Sequence, residues 1–270
     1  MQTAITVFIP VYNGANLIER AIKSVLCQTF ANFALVVSDN CSTDETKAIV
    51  SNYLTDPRVK LIEKSQNVGV TENFNSCLRI LETKYYMMLC HDDFLYKPQA
   101  LAKAFEILET HPEVPAVYCD LLFVDSHSRV LLERRFNRSG LIQSDLVVRQ
   151  SILSCRNQFG IPLLMRSSAS QGVQPDDRLT YTGDVEFSFA YAKGKPIYHI
   201  PEFLIGNGFH ETNSTRVHFH KVRPQMEIIA AKHGIPLSNF DKLRMRFNAG
   251  FVTLQKWVFF FYLKHLRKNR

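Results

Sequence analysis

Residues 33–44 read Phe33-Ala34-Leu35-Val36-Val37-Ser38-Asp39-Asn40-Cys41-Ser42-Thr43-Asp44. An apolar, β-branched run ends abruptly in a polar turn. Thr43 is placed to cap a helix over 44–54, with acidic residues in its first turn. The same strand–loop–helix unit appears on either side. Upstream, residues 3–9 form a β-branched run, followed by Pro10-Val11-Tyr12-Asn13-Gly14 and a helix-period segment over 15–27. Downstream, 59–62 reads as a strand, and Thr71 is placed to cap a helix over 72–82. A buried strand over 85–89 runs into Cys90-His91-Asp92-Asp93, Pro98 opens a helix through 109, and 116–119 is a further strand. Repeated β-α units with short loops predict an α/β, Rossmann-like, mostly parallel central sheet flanked by helices.

From Leu121 the alternation breaks down. Strands are expected over 130–133, 163–166 and 196–200, and helices over 143–151 and 184–193. After Arg216 the chain turns helical again, over 219–233 and 240–265, giving a C-terminal helical extension. The expected division is a domain over 1–215, with a nucleotide-binding half 1–120 and an acceptor-binding half 121–215, and a basic aromatic extension over 216–270.

The 270 residues carry a net charge of +7. Residues 1–215 hold 20 Lys and Arg against 23 Asp and Glu, whereas 216–270 hold 12 against Glu227 and Asp241 alone. The positive excess therefore belongs to the tail. No nucleic-acid motif accompanies it, so nucleic acid is not an expected partner. The apolar, basic segment 247–270 instead suits peripheral contact with an anionic membrane, or the interface of a homodimer. No run of about 18 uninterrupted apolar residues predicts a spanning helix. The N-terminus lacks a basic region and reads as a strand rather than a signal peptide. The six cysteines form no Cys-x-x-Cys pair and read as buried free thiols, which suits a reducing cytoplasm.

In an open parallel sheet, ligands collect at the carboxyl ends of the strands. Those ends carry Pro10-Val11-Tyr12-Asn13-Gly14, then Asp39 to Asp44, then Asn67-Val68-Gly69, then Asp92-Asp93. Together they offer acceptors for a base, hydroxyl partners for a ribose and carboxylates for a divalent cation. The glycine-rich phosphate loops of dinucleotide-binding and P-loop proteins are absent, so a bound diphosphate calls for a metal.

With those residues in place, the chain resembles the family 2 inverting glycosyltransferases of the GT-A fold. Val7-Phe8-Ile9-Pro10-Val11-Tyr12-Asn13 is similar to the opening strand and loop of that family, and Ser24-Val25-Leu26-Cys27-Gln28-Thr29-Phe30 to its helix end. Residues 38–44 resemble the nucleotide loop, with Asn-Cys in place of the commoner Asp-Gly. Asn67-Val68-Gly69 matches the Asn-x-Gly before the third helix. Cys90-His91-Asp92-Asp93 falls at the Asp-x-Asp signature, with Cys90 replacing its first carboxylate. Tyr181-Thr182-Gly183-Asp184-Val185-Glu186 is placed like the motif that supplies the base, with Gly183 where many members have Glu.

The resemblance implies a non-processive hexosyltransferase of bacterial surface polysaccharide synthesis. It would move one sugar from a nucleotide-sugar donor, UDP-linked by default, to a hydroxyl of a glycan or lipid-linked glycan acceptor. The expected location is cytoplasmic, peripheral on the inner face of the cell membrane. The resemblance implies Asp184 as catalytic base, with Glu186 as its fallback. Pro10, Tyr12, Asn13, Asp39, Asn67 and Asp92 would bind the nucleotide, with Asp39 accepting the imide N–H of a uracil or thymine ring. Asp92, Asp93 and His210 would hold Mn²⁺ or Mg²⁺. Processive synthases of this superfamily carry a Gln-x-x-Arg-Trp motif; here the sole tryptophan, Trp257, follows Lys256. A catalytically silent sugar-nucleotide-binding or glycan-binding scaffold and a sugar nucleotidyltransferase are the alternative readings.

Overall fold

A computed structural model describes residues 2–173, 176, 178–179, 182–209 and 219–266, with backbone alone for Phe219 and 256–266. The strands are β1 (Ile5–Val11), β2 (Phe33–Asp39), β3 (Val59–Glu63), β4 (Tyr85–Met88), β5 (Phe94–Leu95), β6 (Ala116–Val124), β7 (Val130–Arg134), β8 (Gly140–Gln143), β9 (Pro162–Arg166) and β10 (Pro196–Gly208). The helices are α1 (Ile18–Leu26), α2 (Thr46–Ser51), α3 (Val70–Arg79), α4 (Ala100–Thr110), α5 (Ser144–Ser154), α6 (Gly183–Ala192), α7 (Val222–Lys232) and α8 (Asn239–Leu266).

All ten strands join one sheet in the order β3-β2-β1-β4-β9-β6-β10-β5, with β7 added beside β6 and β8 beside β10. The chain builds outward from β1 through β2 to β3, then returns to place β4 on the other side of β1. This reversal of direction creates a crevice above the carboxyl ends of β1, β2 and β4. The expected parallel pairing holds across β3-β2-β1-β4 and between β6 and β10. Elsewhere the sheet is mixed: β9 enters antiparallel between β4 and β6, and β5, β7 and β8 are also antiparallel. Five of the nine described pairings are antiparallel, but these ladders are short and the two longest, β6–β10 and β1–β2, are parallel, so the central sheet is mostly parallel with antiparallel additions.

Period-two alternation places side chains on both faces of the sheet. Ile5, Val7, Ile9 and Val11 of β1 face one core with Leu35, Val37, Tyr85 and Met87. Phe8, Val36, Tyr86 and Met88 face the other. α1 seals the first core through Ile18, Ala21, Ile22 and Val25, spaced as one helical face. The second core is closed by α5, α6 and α7.

Several local expectations are corrected. α2 begins at Thr46, and its first turn is anchored by Asp44 Oδ1, which accepts the Thr46 N–H at 3.0 Å, rather than by Thr43. α3 begins at Val70 behind Gly69, which takes φ 85°, so Thr71 lies inside the helix. The strand expected over 196–200 runs on to Gly208 through register shifts between Ile200 and Ile205. The two-residue β5 and the four-residue β8 gave no sequence signal of their own. Cys77, Cys119 and Cys155 are buried as expected, but Cys27 and Cys90 are exposed and Cys41 is half-buried.

Candidate active site

Three loops at the carboxyl edge are tied to one another by side chains that bond to backbone. The register pairs Val11 with Asp39, and the Asn40 N–H continues the ladder to Val11 O at 2.8 Å. Asn13 takes a left-handed φ of 51°. That turn lets its N–H donate to Ser42 Oγ at 2.9 Å while its side-chain oxygen accepts the Thr43 N–H at 2.8 Å. Gly14 N–H donates to Thr46 Oγ1 at 2.9 Å, and Ala15 N–H to Asp44 Oδ2 at 3.0 Å. The β1 and β2 loops are thereby one rigid piece.

Asn40 extends the piece to the β3 loop. Its Nδ2 donates to Asn67 Oδ1 at 2.9 Å and to Gly69 O at 3.3 Å, and its Oδ1 accepts the Val68 N–H at 2.9 Å. Asn67 Oδ1 also accepts the Gly69 N–H at 2.9 Å. Asn13 and Asn67 thus brace the loops in which they occur. Asn40, not singled out in the sequence, joins them.

Asp39 lies beneath these loops and is fully buried. Its Oδ2 accepts the Ser42 N–H at 3.0 Å, whereas its Oδ1 is buried with no hydrogen-bond partner. An orphaned buried carboxylate oxygen is costly unless a ligand supplies a donor. Pro10 is half-buried at the end of β1, and Tyr12 is exposed on the rim.

The acidic loop follows β4, whose ladder continues as the Leu89 N–H donates to Phe8 O at 2.9 Å. The ligand atoms of Cys90, Asp92 and Asp93 all lie within 4.8 Å of one another. Asp93 is buried, and its Oδ1 accepts the Gly208 N–H at 2.9 Å and Asn207 Nδ2 at 3.4 Å. Burial and the neighbouring Asp92 charge push the Asp93 carboxyl well above the usual carboxylate range. Two converging carboxylates under that strain are a donor set suited to a hard divalent cation, so the residues present fit one. Gly208 is required beside them, because a Cβ there would meet Asp92 O at 2.1 Å.

Arg20 of α1, also missed in the sequence, pins this loop from below. Its Nη2 donates to Asp92 O at 2.7 Å, and its Nη1 to Ser128 Oγ at 3.0 Å and Asp125 O at 3.4 Å in the β6–β7 turn. The guanidinium stacks 4.6 Å from the Phe94 ring centroid. Burial lowers its pKa, and the charges of Asp93, Asp92 and Asp125 oppose that shift.

Asp184 stands in the exposed first turn of α6, where a carboxylate is favoured by the helix dipole. Burial raises the pKa of the Cys90 thiol and of the Tyr118 hydroxyl, and the Asp184 charge adds to both shifts. Asn157 Nδ2 donates to Asp184 Oδ2 at 2.9 Å and also to Gly160 O at 3.1 Å. Asn157 Oδ1 accepts the Gly160 N–H at 3.0 Å, which fixes the amide with its NH₂ toward the carboxylate.

Glu186 points the other way. It is buried, with Oε1 2.7 Å from Lys232 Nζ and 3.3 Å from His233 Nε2 of the α7 end. Burial opposes its ionisation, but the hydrogen bonds and charges of His233 and Lys232 outweigh this and hold its carboxyl below the usual range. That places Glu186 in a structural ion cluster. His210 lies outside the described residues.

The Glycosyl transferase family 2 profile matches residues 6–159. An uncharacterized glycosyltransferase of Rickettsia prowazekii is 30% identical over 217 residues, covering 78% of this chain and 65% of the relative. The chain thus spans less than two-thirds of that relative's length. Chondroitin synthase of Escherichia coli is 28% identical over 128 residues, covering 47% of this chain and 18% of the synthase. Among solved structures, S. aureus TarS in complex with UDP-GlcNAc superposes with a TM-score of 0.69 at 18% identity, covering 88% of this chain and 69% of that one. The mannosyltransferase PcManGT of Pyrobaculum calidifontis, in complex with GDP-Man and Mn²⁺, gives 0.60 at 18% identity, covering 94% and 79%.

Proposed function

Because the chain belongs to glycosyl transferase family 2, we propose that it moves a single sugar, with inversion, from a UDP-linked donor to a hydroxyl of a glycan or lipid-linked glycan. The observation that carries this reading is the buried, unpartnered Oδ1 of Asp39 beneath the three braced loops. A uracil ring offers one imide N–H in the plane of its carbonyls, the donor this oxygen lacks. Pro10 and Tyr12 wall the base, and the complex of a structural neighbour with UDP-GlcNAc supports a uridine donor.

Asp92 and Asp93 would hold Mn²⁺ or Mg²⁺. Such a cation, when bound, offsets the diphosphate charge, and the complex of PcManGT with Mn²⁺ supports its presence in this fold. Asp184 takes the proton of the acceptor hydroxyl as that oxygen bonds to the anomeric carbon from the face opposite the diphosphate. The anomeric C–O bond breaks with its electron pair, and UDP departs. One displacement inverts the anomeric centre and calls for no carboxylate nucleophile. Asn157 keeps the base oriented, and Arg20 keeps the acidic loop in place. On this reading the enzyme works at the cytoplasmic face of a bacterial membrane, in surface polysaccharide synthesis.

Asp184→Asn tests the reading. It retains the shape of the side chain and its acceptor oxygen for Asn157 but cannot take a proton. Turnover of UDP-sugar in the presence of acceptor is expected to fall about 10²- to 10⁴-fold with UDP affinity unchanged. Retained turnover removes Asp184 as base, and an inactive wild type that still binds UDP favours a silent sugar-nucleotide scaffold.

A further inference from the structure

Helix α8 is apolar on two faces, and among the described residues only one of them is packed against the fold. On the packed face, Met245 and Val252 are buried, Asn248 Nδ2 donates to Leu153 O at 2.7 Å, and Cys155 Sγ donates to Met245 O at 3.5 Å. Arg149 of α5 closes the same side with Asp241 at 3.5 Å. A second row, Phe240, Leu243, Phe247, Phe251 and Leu254, recurs at intervals of three and four residues and is 50–78% exposed. Lys242, Arg244 and Arg246 are exposed alongside it.

Five large apolar side chains aligned on one surface helix form a patch that aqueous solvent disfavours. The charge around the patch decides what covers it. Among residues 216–270 the carboxylates are Glu227 and Asp241 alone. Glu227 is answered by Arg223 at 3.0 Å, and Asp241 by Ser238 and Arg149. A second copy of the chain would bring the same uncompensated cations against these. An apolar row flanked by Lys and Arg matches an anionic lipid surface, with phenylalanine and leucine at the acyl boundary and the cations at the headgroups.

We propose that the Phe240–Leu243–Phe247–Phe251–Leu254 row of α8 docks the protein onto an anionic membrane surface, lying in its plane. No helix among the described residues is long and apolar enough to cross a membrane, so the contact is interfacial. The sequence points to this segment from 247 onward; the structure extends the row back to Phe240. Docking of this kind would hold the crevice beside a membrane-borne acceptor, yet it depends on no feature of the sugar chemistry.

The test is co-sedimentation of the full chain with phosphatidylcholine vesicles, with and without phosphatidylglycerol. Wild type is expected to sediment with the anionic vesicles and to be released by added salt. Phe247→Asp with Phe251→Asp is expected to weaken that partitioning by at least about tenfold, since both rings leave the acyl boundary. Circular dichroism and UDP affinity should match wild type, because neither ring is part of the core or the crevice. Arg244→Glu with Arg246→Glu should weaken it as well and remove most of its salt dependence. Wild type left in the supernatant with both vesicle types overturns the assignment. So does a double-Asp variant that sediments like wild type, or a wild-type dimer that the double-Asp change converts to monomer.

Discussion

The two sides of the crevice are held by different means. On the donor side, the β1, β2 and β3 loops are cross-linked by Asn13, Asn40, Ser42, Asp44 and Thr46, each bonding to backbone of a neighbouring loop or of its own. On the other side, the proposed base Asp184 stands exposed at a helix N-terminus, where it accepts a hydrogen bond from the Asn157 amide at 2.9 Å. Backbone-anchored loops set a recognition surface before the ligand arrives, which lowers the ordering cost of binding. A carboxylate near the surface leaves room for an acceptor beside the proposed base. The contrast teaches that the proposed donor surface is built from backbone-anchored loops, while the proposed base is reached by a side-chain amide from a distant stretch of chain.

Asn40→Ala strikes the braced side and carries the largest expected effect on stability. It removes contacts to Asn67, Val68 and Gly69 from a buried position, leaving the Val68 N–H without its acceptor. Chemical denaturation should show a loss of about 2–3 kcal/mol, accompanied by weaker UDP binding. If stability and UDP affinity both hold, the loops are not the single piece described.

Asn157→Ala sharpens the comparison from the other side. It removes the amide from Asp184 without touching the donor loops, so kcat should fall about tenfold while UDP affinity stays at the wild-type value. Asn157→Asp would instead set a second carboxylate against Asp184, and the acidic limb of the rate profile should move to higher pH. A uniform loss of stability with no change in that profile would reduce Asn157 to a loop residue.

Glu186→Gln separates the base from its neighbour two positions away. Glu186 is held below its unfolded pKa by His233 and Lys232, so its ionised form stabilises the fold above about pH 4.3. That contribution disappears as pH falls through the lower folded value. The variant should be about 1 kcal/mol less stable than wild type at neutral pH, and the gap should close in acid. Its turnover should fall far less than that of Asp184→Asn. Inactivation as complete as that of Asp184→Asn would make Glu186 the base.

The donor side was legible because its information is local. A strand that ends in Ser38-Asp39-Asn40 announces both the turn and the carboxylate, and the spacing to Asn67 and Asp92 follows the β-α repeat. What stayed hidden is long-range. Arg20 reads as one more charge on an amphipathic helix, yet its partners are 72 and 105 residues away. Asn157 meets Asp184 across a separation of 27 residues. The antiparallel entry of β9 between β4 and β6 likewise depends on pairing that no local pattern encodes, because its short apolar run suits either direction. Gly208 was legible only as a glycine until the approach of Asp92 O supplied its reason.

The most direct measurement is calorimetric titration of wild type and Asp39→Ala with UDP, dTDP, GDP and CDP, each with and without Mn²⁺. The account predicts that wild type prefers UDP, that Mn²⁺ tightens binding, and that Asp39→Ala lowers UDP affinity about 10- to 100-fold through loss of a charge-assisted hydrogen bond. A preference for GDP or CDP, or UDP binding indifferent to Asp39, would contradict it.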